Sequence, residues 1–523
     1  MTPACWRQSR SEISSGDAEL LKPTGAGRIF NRMLSLFSGE NSADEIDSEL
    51  PFAVMMFTTL AASGVTLYES WKKMRNAQLL PKIQTDAEDM VRQVEVLGYD
   101  PLTVMQKKAD KTRSKVYRDF LAGFASSVRS GGSTVSFLRS KLRSILEIQS
   151  AASLRSVEKL GTLVEAYAVM MIVTLCTYIL YVVISSTQVF EVMNSGLRRV
   201  RGPEPFVYAL IFLIMPSISV AFMFFAHKSR KSTFISLASV YRKFIFPAGG
   251  VSIFAALVYF VPQLQFLAEP NKLPLIVTGC LTAVSIPSAI AYYRLAVENF
   301  AAEDSMPSFL RDVTEARKIG LSPEKSIIHA SKRRGYGRFS GLLESVRSQI
   351  EWGVGLKRIF ANIKKRIQSW PVLVHFFILI ETIEIGGGST NALEILAEYS
   401  EKNKDIESNK RSLLKPYIIL AFIWSVLIAL TTTIVAMTIY VLAQISLPGM
   451  AQASFDLMQL QITLFSIGII LQTWMSGFFM GKINEGTFAA GFKYSAMLAI
   501  TAYVSLVLSQ NLLAGLYTLG SAL

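Results

Sequence analysis

The chain contains few of the residues from which metal sites and disulfides are built. Its 523 residues include three cysteines and three histidines, all far apart in the sequence. Cys5, Cys176 and Cys280 form no CxxC motif, and this spacing excludes a disulfide scaffold. The scattered histidines argue against a histidine-rich metal site, because such a site needs several ligands close together. We therefore expect neither a metal ion nor another cofactor.

The sequence also lacks the short motifs of the commonest enzyme classes. It has no G-x-x-x-x-G-K-[ST], so we expect no nucleotide binding through a P-loop. HExxH and GxSxG are absent as well. The run Gly386-Gly387-Gly388-Ser389-Thr390 could hold a phosphate at a helix N-terminus. Without a preceding strand or a following lysine, a hinge or helix cap is the better interpretation. We predict that the protein is not an enzyme and draws its energy from another source.

Charged residues are scarce for a chain of this length. They make up 18%, against 51% hydrophobic residues, and the mean hydropathy is +0.37. That balance is too apolar for an ordinary soluble protein and far too apolar for a disordered one. It indicates a polytopic membrane protein with substantial soluble parts. The net charge is +14, and we expect no nucleic-acid partner.

Uncharged runs in the sequence are long enough to cross a bilayer, which takes about 20 apolar residues. There are seven, in a group of four and a group of three, and a long polar region precedes each group. The runs cover residues 166–186, 206–226, 244–264, 273–293, 417–447, 457–480 and 494–519. We therefore predict an all-α membrane protein with about seven transmembrane helices.

The charge of the loops predicts the orientation of the chain. Basic residues concentrate on the cytoplasmic side of membrane proteins. The loop between the second and third spans carries five of them: Lys228, Arg230, Lys231, Arg242 and Lys243. This places both polar regions in the cytoplasm of a multi-pass cell-membrane protein. One loop departs from the rule, because Arg198, Arg199 and Arg201 would then lie outside.

These patterns divide the chain into five parts. We expect a flexible amino-terminal segment, a first cytoplasmic domain, four spans, a second cytoplasmic domain and three further spans. The predicted boundaries are 1–49, 50–162, 163–293, 294–415 and 416–523.

An internal repeat relates the two polar regions. Three blocks recur at a single offset of 256 residues, which is hard to produce by chance. They pair Pro51 and Gly64 with Pro307 and Gly320, Gly131-Gly132 with Gly387-Gly388, and Arg155 and Lys159 with Arg411 and Lys415. We infer a tandem duplication of a domain and its following span. Each copy reads as a small bundle of antiparallel helices, with Ser133 and Ser389 as N-caps of the helix that leads into the membrane.

The repeated blocks resemble the type II secretion system F domain. That family's pattern begins with Leu/Met-Pro and a helix ending in Gly, and continues with E-x-x-G-x-[ST], Ala-x-Tyr and a long stem before a span. Here Glu384 opens the second element, Ala397-Glu398-Tyr399 follows it, and residues 400–415 form the stem. The first copy lacks the Glu before Gly131. The motif positions are Pro51, Gly64, Gly131, Gly132, Pro307, Gly320, Glu384, Gly387 and Gly388.

The resemblance implies a membrane platform for the assembly of a pilin-like filament. Such platforms have no catalytic chemistry, work with a cytoplasmic hexameric secretion ATPase and lift prepilins or archaellins from the bilayer. Four spans and then three resemble the archaeal platforms of type IV pili and archaella. The leading alternative is a transporter or channel, and a signalling scaffold comes next. The seven runs contain no Asp, Glu, Lys or Arg, which disfavours ion-coupled transport.

Basic clusters in the polar regions have two interpretations, contact with anionic lipid headgroups or docking to an acidic ATPase surface. The clusters are Lys72 and Lys73, Lys107 and Lys108, Lys332, Arg333 and Arg334, and Lys364, Lys365 and Arg366. The stem residues Arg155, Lys159, Arg411 and Lys415 either anchor the stems at the interface or carry domain movement into the spans.

A small-x-x-x-small pattern in the sixth span allows close helix approach. It consists of Gly477 and Gly481. A homodimer, an internal helix contact and a pilin helix are the three alternatives for its partner, and internal packing is the commonest outcome.

Overall fold

A computed structural model of the chain describes residues 42–194, 208–230, 234–261, 266, 269–270, 272–446 and 451–520. Over these residues the chain forms helices joined by turns, with one isolated bridge between Phe234 and Ser369 and no strand. The all-α prediction is therefore confirmed. Residues 1–41 of the segment that we expected to be flexible lie outside the described residues, as do Arg198, Arg199 and Arg201.

Six helices build the first domain and its stem. They are α1 (Ser42–Ala62), α2 (Leu67–Met74), α3 (Pro81–Glu95), α4 (Pro101–Lys111), α5 (Lys115–Arg129) and α6 (Thr134–Asn194). Most of an uncharged run at residues 50–68 lies in α1, where Leu50 and all residues from Phe52 to Leu60 are at most 3% exposed. It is a core helix of the domain and not a span.

Helix α1 begins eight residues before the predicted start of the domain, so residues 42–49 do not belong to a flexible segment. Side chains of this part bind other helices. The Glu49 carboxylate accepts the backbone N–H groups of Lys82 and Ile83, both at 3.0 Å, at the first turn of α3. The hydroxyl of Ser114 donates to Asp47. These contacts satisfy free N–H groups of a helix end and hold the first turns of α1 in place.

The chain then enters the membrane region. A π-helical turn (Leu210–Ile214) leads into α7 (Met215–Ser229), and α8 (Ala238–Phe260) follows. Helix α9 (Leu273–Lys318) is 46 residues long and contains both the fourth span and the first helix of the second domain. The boundary predicted at residues 293 and 294 therefore falls inside one continuous helix.

The second domain repeats the first. After α9 come α10 (Pro323–Ser331), a 3-10 turn (Gly337–Phe339), α11 (Ser340–Glu351), α12 (Leu356–Arg366), α13 (Trp370–Gly386) and α14 (Thr390–Ser446). Shifted by 256 residues, α2, α3, α4 and α5 coincide with these elements to within one residue at each end, and α6 and α14 begin at equivalent positions. The apolar run at 372–380 lies in α13, inside the domain.

Two further helices complete the chain, α15 (Ala451–Glu485) and α16 (Phe488–Gly520). Among the residues that the structure describes, seven helical segments are long and apolar enough to cross a membrane, four before the second domain and three after its start, which confirms the predicted number. Helices α6, α9 and α14 each belong to a domain and to the membrane region. A helix of 61 residues such as α6 is about 90 Å long.

Helix ends follow the local signals of the sequence. Gly64 and Gly320 adopt φ values of 82° and 90° and end α1 and α9 in Schellman turns. After α1, the N–H group of Val65 donates to the carbonyl of Leu60 at 3.0 Å. After α9, the N–H group of Leu321 makes the equivalent bond to Ala316 at 3.2 Å. The predicted N-caps are confirmed as well, since Ser133 and Ser389 each accept a backbone N–H three residues on, both at 3.3 Å.

The two domains share one hydrophobic core, whereas the sequence predicted two small bundles. Phe52 of α1 makes edge contacts with Trp370, His375 and Tyr399 of the second domain, at centroid distances of 4.5, 5.8 and 5.5 Å. The indole N–H of Trp370 donates to the carbonyl of Leu79 at 2.8 Å. The domains therefore pack as one body from which the stems rise.

The substitution Phe52→Ala tests this shared core. The change removes a buried aromatic ring and should lower the stability of the fold by about 3–5 kcal/mol. Because the site that Phe52 fills belongs to the second domain, hydrogen exchange should also accelerate in α13. Phe246→Ala is a matched control, since Phe246 is 79% exposed. Unchanged exchange in α13 would mean that the second domain does not depend on the first.

Candidate coupling site at the membrane border

Side chains and backbone groups from five elements meet where the second domain reaches the membrane region. We call this group the junction. It consists of Arg230, Phe234, Asn299, Glu303, Ser369, Arg411 and Glu485. It joins α9, the start of α13 and the stem of α14 to the turn between α7 and α8 and the turn between α15 and α16.

The start of α13 is bound to α9 and to the turn between α7 and α8. The Oδ1 atom of Asn299 accepts the backbone N–H groups of Gln368 and Ser369, both at 2.8 Å. The hydroxyl of Ser369 donates to Glu303 at 2.7 Å. Ile235 N–H donates to the carbonyl of Gln368 at 3.0 Å. A turn that follows the second span is thereby attached to the second domain.

The stem of α14 is held to α9 by an ion pair. Arg411 binds the carboxylate of Glu303, and its guanidinium lies 4.2 Å from the centroid of the Phe300 ring. A cation over an aromatic face adds to the attraction. The predicted stem residue Arg411 therefore contacts the junction, whereas Lys415, Arg155 and Lys159 are exposed and make no ion pair among the described residues.

A buried arginine connects the turn after α7 to the end of α15. Arg230 is 6% exposed, and its guanidinium donates to the carbonyl of Ile483. Burial lowers the pKa of Arg230 to about 10, so the group stays charged at neutral pH. A cation at a helix C-terminus satisfies free carbonyls and the helix dipole. Lys482, which the sequence places beside a loop, is also buried and donates to the carbonyl of Gly486 at 2.8 Å.

Glu485 fixes the turn between α15 and α16 to its neighbours. The carboxylate accepts the hydroxyls of Tyr292, at 2.8 Å, and Tyr494, at 2.9 Å, and it pairs with Lys493. Because Tyr292 lies on α9, the helix that carries the second domain also contacts the last two membrane helices. The contact with Tyr292 could not be predicted from the sequence, since Tyr292 and Glu485 lie 193 positions apart.

A cavity of about 190 Å³ lies beside the junction, between α9, α13 and α14. Its lining includes Asn403, Arg411, Lys415 and His375. His375 is 3% exposed, and its Nδ1 contacts the carbonyl of Pro371 at 2.6 Å. Its Nε2 has no hydrogen-bond partner in the described structure. Burial lowers the pKa of His375 to about 4, so the ring is neutral at pH 7.

The structure places the predicted basic clusters at separate positions. Several of these residues already have partners: Lys72 lies 3.5 Å from Glu95, Lys108 lies 2.6 Å from Asp86, Lys107 stacks on Tyr99, Arg333 binds Asp312 and Arg366 donates to the carbonyl of Gly341. The others, Lys73, Lys332, Arg334, Lys364 and Lys365, make no ion pair among the described residues. Lys364, Lys365 and Arg366 precede Gln368 and are thus closest to the membrane border.

The family-motif residues lie inside helices, at helix ends and in one ion pair. Pro51 and Pro307 lie inside α1 and α9, and Gly131, Gly387 and Gly388 have positive φ values at the ends of α5 and α13. Gly132 N–H completes the turn after α5 by bonding the carbonyl of Ser127 at 3.1 Å. Glu384 forms an ion pair with Lys357 at 2.8 Å, which links α13 to α12. Each contact is local to one domain.

The glycines of the sixth span face another helix of the same chain. A Cβ atom on Gly477 would overlap the backbone of Ser495, and one on Gly481 would overlap the backbone of Gly491. The small residues therefore bring α15 against α16. Of the three alternatives, the structure shows the internal helix contact.

The comparisons with known proteins identify the repeated unit. The family described as "Type II secretion system (T2SS), protein F" matches the chain twice, over residues 53–182 and 309–436. The chain contains two type II secretion system F domains. The two matches start 256 residues apart, the same offset as that of the helices, so the predicted family is confirmed.

A distant relative matches most of the chain. An uncharacterized protein of Methanocaldococcus jannaschii is 20% identical over 495 residues, and the alignment covers 89% of this chain and 80% of that protein. No solved structure matches the chain significantly.

The substitution Gly477→Leu tests the contact between α15 and α16. The added side chain has no space against α16, so we expect a loss of about 3 kcal/mol or more in stability. The control is Gly249→Leu on α8, because a Cβ on Gly249 has no heavy atom within 4 Å. Thermal unfolding in detergent measures both. A Gly477→Leu protein with wild-type stability and a smaller oligomer would assign this face to a homodimer.

The buried His375 predicts a pH dependence of stability. Its pKa is about 4 in the folded protein against an ordinary value of 6.5, so the unfolded chain binds the proton more readily between these values. Stability is therefore complete above pH 6.5 and falls by on the order of 3 kcal/mol as the pH drops to 4. His375→Gln should remove this part of the dependence, and His329→Gln, at an exposed position, should retain it. Equal pH profiles for the two variants would contradict the assignment.

Proposed function

We propose that the protein is a membrane platform that assembles a pilin-like filament. In this proposal a cytoplasmic secretion ATPase acts on the two domains, and the spans act on prepilins or archaellins in the bilayer. The F domains support the coarser statement, because proteins of this family are membrane platforms of secretion and pilus systems. The observation that carries the finer statement is the continuity of α6, α9 and α14 from one shared core into the membrane region.

Continuous helices suit the transmission of force. A helix keeps its length under modest load because every interior backbone hydrogen bond resists stretching. Three such helices leave the same body, so a movement of the domains reaches three spans together. The junction also connects membrane helices that do not continue into a domain. Arg230 binds the end of α15, and Glu485 of α15 accepts the hydroxyl of Tyr292 on α9.

The energy source in this proposal is a separate protein. The chain has no P-loop, and its domains are helical over the described residues, so a partner must hydrolyse the nucleotide. The basic loop after the second span supports a cytoplasmic position of the domains, where such a partner is found. Lys364, Lys365 and Arg366, near the membrane border, suit anionic headgroups on that side.

The ion pair between Arg411 and Glu303 provides the test. Arg411→Gln separates the stem of α14 from α9, and breaking a partly buried ion pair costs on the order of 1–3 kcal/mol. In cells that lack the wild-type gene, we expect this variant to form fewer filaments than the wild type, because the stem of α14 then moves less tightly with α9. Co-purification of the secretion ATPase should remain, because the substitution lies far from the exposed ends of the domains.

Arg155→Gln is the matched control for this experiment. Arg155 is the counterpart of Arg411 in the first copy, and it is exposed without an ion pair among the described residues. We expect normal filaments with this variant. Normal filaments with Arg411→Gln would show that the ion pair does not transmit movement, and wild-type protein that binds neither ATPase nor prepilin would contradict the platform function itself.

A further inference from the structure

The cavity beside the junction contains buried polar side chains that lack partners. It measures about 190 Å³, many times the roughly 10–15 Å³ needed to hold one water molecule. Ser400 and Asn403 of α14 are 3% and 8% exposed, and neither side chain makes a hydrogen bond within the described structure. The Nε2 atom of His375 on α13 is likewise without a partner among the described residues. Because a buried polar group is costly unless it is hydrogen-bonded, these side chains indicate that a polar molecule binds at this end of the cavity.

The state of His375 determines which polar groups fit there. Its Nδ1 lies 2.6 Å from the carbonyl oxygen of Pro371, which can only accept, so Nδ1 carries the proton. Because burial lowers the pKa of His375 to about 4, the ring is neutral at pH 7 and Nε2 can only accept. Asn403 and Ser400 can both donate and accept. The buried end of the cavity therefore matches hydroxyl groups, which do the same.

The opposite end of the cavity lies at the membrane border and matches an anion. Four polar residues on one face of α14 line it, at intervals of three and four positions: Ser408, Arg411, Ser412 and Lys415. The two serine side chains make no hydrogen bond, and Lys415 makes no ion pair, among the described residues. Lys415 precedes the apolar run at 417 by two residues. Hydroxyl groups beside two cations are donors that suit a phosphate.

The acidic residues of the lining are already neutralised. Each of the three carboxylates has a basic partner: Glu303 has Arg411, Asp304 has Lys404 and Glu407 has Lys410. Lys415 is the remaining cation of the lining. The buried Arg230, which interacts electrostatically with Arg411 and Glu407, adds a positive charge nearby. The membrane end of the cavity is therefore positive, and the planar Arg411 retains N–H groups that Glu303 does not use.

The first copy of the domain has a different set of residues at these positions. Asp119 and Glu147, both exposed, stand 256 residues before His375 and Asn403. Two carboxylates would repel a phosphate, whereas the neutral ring and the amide do not. The site is therefore specific to the second copy.

We propose that this cavity binds a phosphate ester that carries hydroxyl groups. The phosphate contacts Arg411 and Lys415 at the membrane border, and the hydroxyl groups bond Asn403 and His375 at the buried end. The headgroup of an anionic lipid and a free polyol phosphate share this chemistry. Because the cavity lies between α9, α13 and α14, the bound molecule links the stem of α14 to the second domain. This inference goes beyond the proposed function and does not depend on it.

Titration of delipidated full-length protein in detergent tests the proposal, with binding measured by native mass spectrometry. The probes are short-chain phosphatidylglycerol, phosphatidylcholine of the same chain length, and glycerol phosphate. We expect phosphatidylglycerol to bind about tenfold more tightly than phosphatidylcholine, whose headgroup has no hydroxyl group and no net charge.

Two variants locate the binding in the cavity. Lys415→Gln removes a positive charge and Asn403→Asp adds a negative one, so each should weaken the binding of phosphatidylglycerol about tenfold. Lys159→Gln is the matched control, because Lys159 is the exposed counterpart of Lys415 in the first copy, and it should bind as the wild type does. Lys415 is exposed as well, so thermal stability should stay at the wild-type value and a loss of binding cannot be attributed to unfolding.

The outcomes distinguish the two sources of the ligand and can overturn the site. Tighter binding of phosphatidylglycerol than of glycerol phosphate, with the expected loss in both variants, supports a lipid headgroup. Equal affinity for these two probes, with the same loss, supports a free polyol phosphate. Equal affinity for the two lipids, no binding of any probe, or wild-type binding by either cavity variant would overturn the proposal. The filament number in cells, which tests the platform function, is a separate measurement.

Discussion

The packing of two domains around one core is the constraint on which the rest of the structure depends. Phe52 supplies a side chain of the first domain to a site built by Trp370 and Tyr399 of the second. An aromatic residue buries roughly 150–250 Å² in such a site. Neither domain can shift against the other without exposing that surface to water. A force on one domain therefore acts on both, and reaches α6, α9 and α14 together.

The two copies differ where they approach the membrane. Asp47 and Glu303 are equivalent positions, and each accepts the hydroxyl of the serine that precedes the fifth helix of its domain. Only Glu303 also binds the stem, through Arg411, because α9 arrives from the membrane and brings Phe300 to stack on the guanidinium. The equivalent Arg155 stays exposed. The two copies therefore have similar stems, but only the stem of α14 is bound by an ion pair to the helix that continues from the preceding span, α9.

Local features of this fold were predictable from the sequence, whereas its long-range contacts were not. The turn at Gly64 and the cap at Ser389 depend on residues a few positions apart, and the structure reproduces them. Helical periodicity shows which face is buried but not which neighbour buries it, so the shared core was missed. From the sequence, Arg230 is predicted to be an exposed basic residue of a loop, because its partner Ile483 lies 253 positions away.

Hydrogen bonds inside the membrane region complete the path from the domains to the bundle. The hydroxyl of Tyr167 on α6 lies 3.1 Å from that of Ser219 on α7, and Gln472 on α15 donates to Ser219 at 2.6 Å. Such bonds between membrane helices fix their relative rotation, because lipid offers no alternative partner. Within the bundle, α15 is bonded to α6 through Gln472 and Tyr167. At its end, α15 is bonded through Ile483 to Arg230 of the junction. Helices α6, α7 and α15 are therefore joined by hydrogen bonds, and movement of one of them acts on the other two. Motion of the stems must therefore be shared by α15, at the centre of the bundle.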